Sequence, residues 1–312
     1  MKQVVTFLAI VLCITLGLRV YLSRSSTDFE NSSSSDVIEE EKKDPTLNIT
    51  FLDIGQGDST FVEFPDGQQM LIDCAIDDRV LEALGRVMPF YDHDIDYLVV
   101  THPDLDHYGG CLDVMKRFDI GHILYNGMEK SYDELWQSFH AEVQAQMAEG
   151  KEYIEVDEPF VWEIASTTVN VLYPDHSIPQ DSHIPGLDKD VGANDTSIVM
   201  KLSFGTQDVL LMGDAEEDLE TYLVNTYGEQ LDVEVLKMGH HGSQTASTQP
   251  FLTVVTPQDA IASCGLNNKF GHPSPRVLKR FEREHTNVWR TDVSGDILVT
   301  FTTSSYDIVT QF

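Results

Sequence analysis

Three apolar runs in this chain break off into polar clusters where a buried strand would end: DYLVVTHPDLDH (96–107), QDVLLMGD (207–214) and DVEVLKMGHHGS (232–243). Short, nearly continuous apolar runs suit strands covered on both faces. A buried strand fixes the backbone while the loop after it is free to carry chemistry, so ligands of layered α/β proteins collect at strand ends. Further strand-like runs are LNITFLD, STFVEFP, QQMLIDCA, TTVNVLYP, TSIVMKLSF and DAIASCG. Between them lie helical patterns such as RVLEALGRVM, GGCLDVMKRF, SYDELWQSFHAEVQAQMAEG and EEDLETYLVNTYG. The mixture predicts an α/β domain with buried sheets under helices.

Residues 1–26 read as a signal peptide or an N-terminal membrane anchor. Lys2 leads an apolar run from Val4 to Leu18 that Arg19 interrupts; a spanning helix needs roughly 20 apolar residues. No clean small-residue cleavage site follows, and Leu12 before Cys13 is large for a lipoprotein site. Residues 27–45, rich in serine and charge, read as a disordered tether. Residues 46–312 are expected to form one folded domain, placed outside the cytoplasmic membrane, secreted or anchored. The formal charge is −32, most of it on that domain. Such a surface repels polyanions and argues against tight non-specific DNA binding through a basic face. Cys74, Cys111 and Cys264 show no zinc-ribbon spacing. They read as small buried hydrophobes, with one disulfide as the alternative in an oxidising compartment.

THPDLDHYGG places His102, Asp104, Asp106 and His107 within six positions, directly before the Gly109–Gly110 pair. Imidazole suits zinc and other first-row ions, and carboxylates shift the preference toward harder ions such as manganese. A short regular element cannot converge all four on one point, whereas a strand-end loop can turn two toward one metal and two toward its neighbour. The competing reading is a polar turn. Asp214, after a buried run and a glycine, is a ligand candidate or a helix cap. Adjacent His240 and His241 are expected to point apart, so that at most one reaches a metal directly.

FLDIGQGDS, LIDCA, THPDLDHYGG, NDTSIVMKL, VLLMGD, HHGS, NKFGHPSP and TDVSGDI, in that order, resemble the metallo-β-lactamase-like domain of the ComEC competence proteins. The resemblance implies an αββα sandwich with a dinuclear site, two divalent ions, Zn or Mn, at one edge. It implies that His102 and Asp104 serve one metal, Asp106 and His107 the other, with Asp214 bridging and His240 or His241 completing the second site. The broader superfamily has histidine where Asp104 stands. It has another before the strand preceding the bridging aspartate, where this chain has Asn194 or Asp195, so filling of the first site is the open point. Asp58 and Asp73 are expected to hold ligand histidines from behind. Asn267, Lys269 and His272 are candidates for binding a substrate phosphate.

The reaction implied is metal-dependent hydrolysis, with a metal-bound hydroxide as nucleophile that Asp106 helps orient. The superfamily hosts several hydrolyses, so the fold alone does not choose one. The ComEC-type motifs favour a phosphodiesterase or DNA nuclease. At most one spanning segment, near the N-terminus, makes a DNA-conducting channel an unsuitable reading of this chain. The alternatives are hydrolysis of a small phosphorylated or ester substrate, and a non-catalytic binding module. The expected partner is a phosphodiester, DNA among the candidates. Membrane attachment would run through the N-terminus, and no protein partner is evident.

Overall fold

The computed structural model describes residues 44–311 except 131 and 188–190. The expected leader, and all but the last two residues of the expected tether, lie outside the described residues. Six strands come first: β1 (Leu47–Phe51), β2 (Thr60–Glu63), β3 (Gln69–Ile72), β4 (Asp94–Val100), β5 (Asp119–Tyr125) and β6 (Glu152–Glu155). Helices α1 (Arg79–Val87), α2 (Leu105–Tyr108), α3 (Cys111–Arg117) and α4 (Glu134–Ala148) are interleaved with them. The chain then builds a second sheet from β7 (Phe160–Ile164), β8 (Thr167–Tyr173), β9 (Val199–Phe204), β10 (Gln207–Leu211), β11 (Val235–Lys237), β12 (Asp259–Ala262) and β13 (Asn287–Arg290). With these strands go α5 (Glu217–Tyr227), α6 (Gln249–Val255), α7 (Pro275–Glu284) and the short α8 (Thr291–Ser294). A closing hairpin, β14 (Ile297–Phe301) and β15 (Tyr306–Thr310), returns to the first sheet beside β1.

The first sheet runs β15-β14-β1-β2-β3-β4-β5-β6 and the second β13-β12-β11-β10-β9-β8-β7. Each is antiparallel on one side and parallel on the other, and the change falls at β3/β4 and at β10/β11. Alternation along the strands sorts the core. Leu47, Ile49 and Phe51 of β1 meet Val169, Val171, Met200 and Leu202 between the sheets. Leu71, Leu98 and Val100 face outward onto Val80, Leu84, Val114 and Trp136 of the first helical layer. Leu210, Leu236 and Ala260 do the same against Leu219, Phe251 and Phe281 of the second. Both sheets are thus covered on both faces, which is the αββα sandwich. Every expected strand and helix named from the sequence contains an element of that type, whereas β5, β6, β7, β13, the closing hairpin and helices α6, α7 and α8 lie outside those segments.

Cys74 and Cys111 form a disulfide and Cys264 is a free buried thiol. That corrects the expectation that these cysteines are only small buried hydrophobes. Cys74 follows β3, Cys111 opens α3, and folding brings their Cα atoms to 5.1 Å, within the range a disulfide needs. No helix among the described residues is long and apolar enough to cross a membrane.

Candidate metal centre

The loop after β4 carries His102 and His107, both fully buried. Asp73, just past the end of neighbouring β3, organises them. Its carboxylate accepts from Thr101 N and Thr101 Oγ1, both at 2.8 Å, and lies 2.7 Å from His107 Nδ1. The loop is seated by backbone bonds from Cys74 N to His107 O at 2.6 Å and from Asp58 N to Asp106 O at 3.1 Å. Gly109 is needed because a Cβ there would sit 2.1 Å from Ile76 O.

The second sheet supplies the facing side. After β10, Asp214 is buried, its backbone N–H donating to Ser197 Oγ at 3.0 Å. After β11 the chain makes a tight GHHG turn in which both histidines are left-handed, His240 at φ 44 and His241 at φ 55. Gly239 can only be glycine, since a Cβ would lie 2.3 Å from Ala215 O. Consecutive left-handed residues that are not glycine cost roughly 1–3 kcal/mol each and persist where surroundings impose them, often at functional sites.

Four imidazoles surround Asp214 and Asp106, and each uses its Nδ1 elsewhere. His102 Nδ1 lies 3.1 Å from Thr101 Oγ1, and His107 Nδ1 is bound to Asp73. His241 Nδ1 reaches Ser263 O at 3.0 Å, and His240 Nδ1 reaches Glu216 Oε1 at 2.6 Å. An imidazole donating through Nδ1 keeps the Nε2 lone pair for a ligand. Those nitrogens converge. His107 Nε2 is 3.2 Å, His241 Nε2 3.5 Å and His240 Nε2 3.9 Å from Asp214 Oδ2. His241 Nε2 is 3.4 Å from Asp106 Oδ2, and His102 Nε2 is 3.6 Å from Asp104 Oδ2. The Nε2 atoms of His102, His107 and His241 are buried without a hydrogen-bond partner. Buried orphan nitrogens are costly unless something binds them, and the trios His102–His107–Asp214 and Asp106–His107–His241 each have ligand atoms within 4.8 Å of one another. The donor set of imidazole nitrogen and carboxylate oxygen fits divalent metal ions.

Electrostatics point the same way. Asp58, Asp73, Asp104, Asp106 and Asp214 gather here against the ammonium groups of Lys237 and Lys130. Burial opposes charge on Asp58, but Lys237 and then His241 outweigh it and hold its carboxyl at about 2. Burial likewise works against a charged His241, yet Asp214 and Asp58 raise it to about 10. Histidines driven toward protonation mark a surplus of negative charge, which divalent ions would neutralise. His272 goes the other way: burial and repulsion from His240 and His241 push it down to about 4.

Of the expected residues, His102, Asp104, Asp106, His107, Asp214, His240 and His241 are brought together, with Asp58 and Asp73 behind them. Asp58 lies 3.5 Å from His241 Nδ1 and pairs with Lys237. Asn194 and Asp195 do not face the cluster as ligands. Asn194 Nδ2 lies 3.2 Å from His240 Nδ1, on the side away from Asp214, and the Asp195 carboxylate accepts from Glu216 N at 2.8 Å. His272 borders the centre, its ring 5.4 Å from that of His240. Asn267 and Lys269 are exposed, and Lys269 lies over the Phe270 ring. The residue that shapes their loop is Asn268, which bonds Gly265 O and His272 O. Sequence reasoning missed Lys130, Glu216, Ser197 and Lys237. For Lys237 the signal was present, as a lysine closing an apolar run, whereas Lys130 and Glu216 belong to no pattern.

The chain is 29% identical over 268 residues to ComE operon protein 3 of Bacillus subtilis, covering 80% of this chain and 32% of that protein. It is 27% identical to Recombination protein 2 of Haemophilus influenzae, covering 82% and 29%. The chain therefore spans about a third of the length of the curated relatives it matches. Among solved structures, the metallo-β-lactamase fold protein YhfI of Bacillus subtilis superposes with a TM-score of 0.52 at 11% identity, over 82% of this chain and 100% of that one. CmlA, a diiron β-hydroxylase of Streptomyces venezuelae, gives 0.50 at 13% identity, over 83% and 54%. The profile of the metallo-β-lactamase superfamily matches residues 52–265, well over half of the sequence, and the protein belongs to that superfamily.

Proposed function

We propose that the protein is an extracytoplasmic metal-dependent phosphodiesterase acting on nucleic acid, built around two divalent ions. The observation that carries the reading is the convergence of four imidazole Nε2 atoms, each tautomer set by its Nδ1 partner, on Asp214 and its neighbours. His102 and Asp104 would hold one ion and Asp106, His107 and His241 the other, with Asp214 in reach of both sets. Such ions supply an acidified water and a clamp on the attacking and leaving oxygens of a diester.

The chain's own groups do the rest. Asp106, which takes a 3.5 Å bond from Gln56 Nε2, would orient the attacking water. Lys130, ion-paired to Asp104 and partly exposed, is placed to hold a phosphate oxygen in an otherwise acidic surround. His272, kept neutral beside the centre, serves as a hydrogen-bond partner without adding charge. The recombination name of the Haemophilus influenzae relative supports a nucleic-acid substrate. The buried Cys74–Cys111 disulfide supports an oxidising compartment.

The net charge of −32 favours a second reading, a small phosphodiester. The test is hydrolysis of single-stranded DNA beside bis(p-nitrophenyl) phosphate by the full chain with manganese or zinc, and by Asp214→Ala. Cleavage of both, reduced more than about 100-fold in the variant, is expected, since removing mere outer partners of ligands already costs 10–100-fold. Cleavage of the small diester alone would move the assignment to a smaller substrate. No turnover by metal-loaded protein would overturn the phosphodiesterase reading.

A further inference from the structure

Resting on that dinuclear reading, we infer that the adjacent histidines serve different ions: His241 completes the second site, and His240 supplies the first with the imidazole the superfamily takes from before the strand preceding the bridging aspartate. In this chain that slot holds Asn194 or Asp195: the Asn194 side chain stands behind His240 and the Asp195 carboxylate accepts from Glu216 N, so neither stands beside the ligands.

The backbone explains how neighbours can share one centre. In an extended segment, successive side chains point to opposite faces, which is why a single reaching histidine was expected. Here His240 (φ 44, ψ 50) and His241 (φ 55, ψ 20) are both left-handed. The turn swings both rings round Asp214 instead of away from each other. Their centroids are 5.9 Å apart, steeply inclined at 65°. His241 Nε2 lies 3.4 Å from Asp106 Oδ2 and 3.5 Å from Asp214 Oδ2, within reach of the set that would hold the second ion. His240 Nε2 lies 3.9 Å from the same Asp214 Oδ2.

His240 is also prepared as a ligand is. Glu216 Oε1 takes its Nδ1 proton at 2.6 Å, and that oxygen is itself fixed by Thr245 Oγ1 at 2.6 Å. A carboxylate behind an imidazole orients the ring and raises its basicity toward metal. The pairing repeats Asp73 behind His107, but from the second half of the chain. Asn194 adds a polar contact behind the ring at 3.2 Å. His240 keeps 27% of its side chain exposed while His241 keeps 2%. His240 is thus the more solvent-accessible of the two histidines.

The test counts metal, not turnover. Full-length protein, stripped by chelator, is titrated with Mn2+ and Zn2+, and bound ions per chain are measured by native mass spectrometry with dissociation constants from calorimetry. His240→Gly is the first variant, since glycine adopts φ 44 freely. Glu216→Gln is the second, because it leaves the turn intact and weakens only the ring's support. The expected result is two ions in the wild type. His240→Gly should keep one at unchanged affinity and lose the other by more than about 100-fold. Glu216→Gln should weaken that same ion by about 10–100-fold. Two ions at unaltered affinity in both variants would overturn the assignment of His240 with the dinuclear reading standing. A wild type that takes one ion or none at saturating metal would overturn the dinuclear reading itself, and this inference with it.

Discussion

In the first sheet, β3 and β4 are neighbouring parallel strands whose ends carry Asp73 and His102; in the second, β10 and β11 stand in the same relation and carry Asp214 and the His240–His241 pair. Both pairs sit where the sheet changes from antiparallel to parallel, the switch point at which α/β sheets bind ligands. The two halves differ in how the ligand loop is tied down. In the first half the tie is covalent: Cys74, next to Asp73, is bonded to Cys111, four residues beyond His107. In the second half the tie is a buried carboxyl. Glu220 of α5 accepts from Ser247 N and, at 2.8 Å, from Thr248 N, just beyond the GHHG turn, while Arg280 of α7 caps Ala246 O and Ser247 O at 2.7 and 2.9 Å. One tie is indifferent to pH and sensitive to redox chemistry; the other is the reverse. The same architecture can thus hold a strained, ligand-bearing loop by either kind of bond.

The largest expected effect breaks the first tie. Replacing both cysteines by alanine removes a cross-link over a sequence separation of 37. On loop-closure entropy it should cost about 4 kcal/mol of stability, read as the shift in urea midpoint of metal-free protein. The loss should be the same at pH 5 and pH 8. A loss well under 1 kcal/mol would mean that backbone bonds such as Cys74 N to His107 O already hold the loop, and the contrast between halves would collapse.

The second test breaks the other tie by pH. Burial pushes the Glu220 carboxyl up to about 7, only partly offset by its bonds from Thr248 and Ser247 and the charge of Arg280. With an ordinary value near 4.5, the folded protein keeps a proton between pH 4.5 and 7 that the unfolded chain has released. Its contribution is complete below pH 4.5 and declines by about 3 kcal/mol as pH rises through 7. Glu220→Gln abolishes that decline and leaves one backbone donor poorly matched. The variant should therefore be the less stable at pH 5, with the gap narrowing by pH 8. Urea unfolding in chelator at both values checks it; a gap independent of pH would show that Glu220 is ionised throughout.

The asymmetry also explains what the sequence disclosed. THPDLDH, MGD and HHGS were legible because strand burial and ligand chemistry are both written locally; the order of apolar runs disclosed buried sheets under helices, while the αββα layering came only from what the ComEC-type resemblance implied. The Cys74–Cys111 bridge was not legible, because a separation of 37 residues says nothing of Cα distance until β3 and the start of α3 are packed together. Nor was the sharing of Asp214 by His240 and His241, which depends on two left-handed φ values that HH does not encode and only the flanking close-packed Gly239 hints at. Glu216 and Lys130 reach the centre from loop and helix-cap positions with no motif of their own. In NNKFGH, Asn267 and Lys269 drew attention by type, while the structural bonds belong to Asn268.

The smallest expected effect sharpens the comparison at the ligands themselves. Behind His107 stands a carboxylate, Asp73, whereas behind His241 stands a backbone carbonyl, Ser263 O, with Asp58 farther off at 3.5 Å. A carboxylate makes its imidazole the more basic ligand and can be altered without moving the backbone. Asp73→Asn keeps an oxygen for Thr101 N and removes the charge behind His107, so affinity for the ion that His107 serves should fall about 10–100-fold. Calorimetric titration with Mn2+ reads that fall. Asp58→Asn should weaken the same ion less, because the principal partner of His241 is the main chain and Lys237 already neutralises most of the Asp58 charge. If Asp58→Asn proved the more damaging, the Lys237–Asp58 pair would be a main support of the centre. His107 and His241 would then be held alike, each by a buried carboxylate behind its ring.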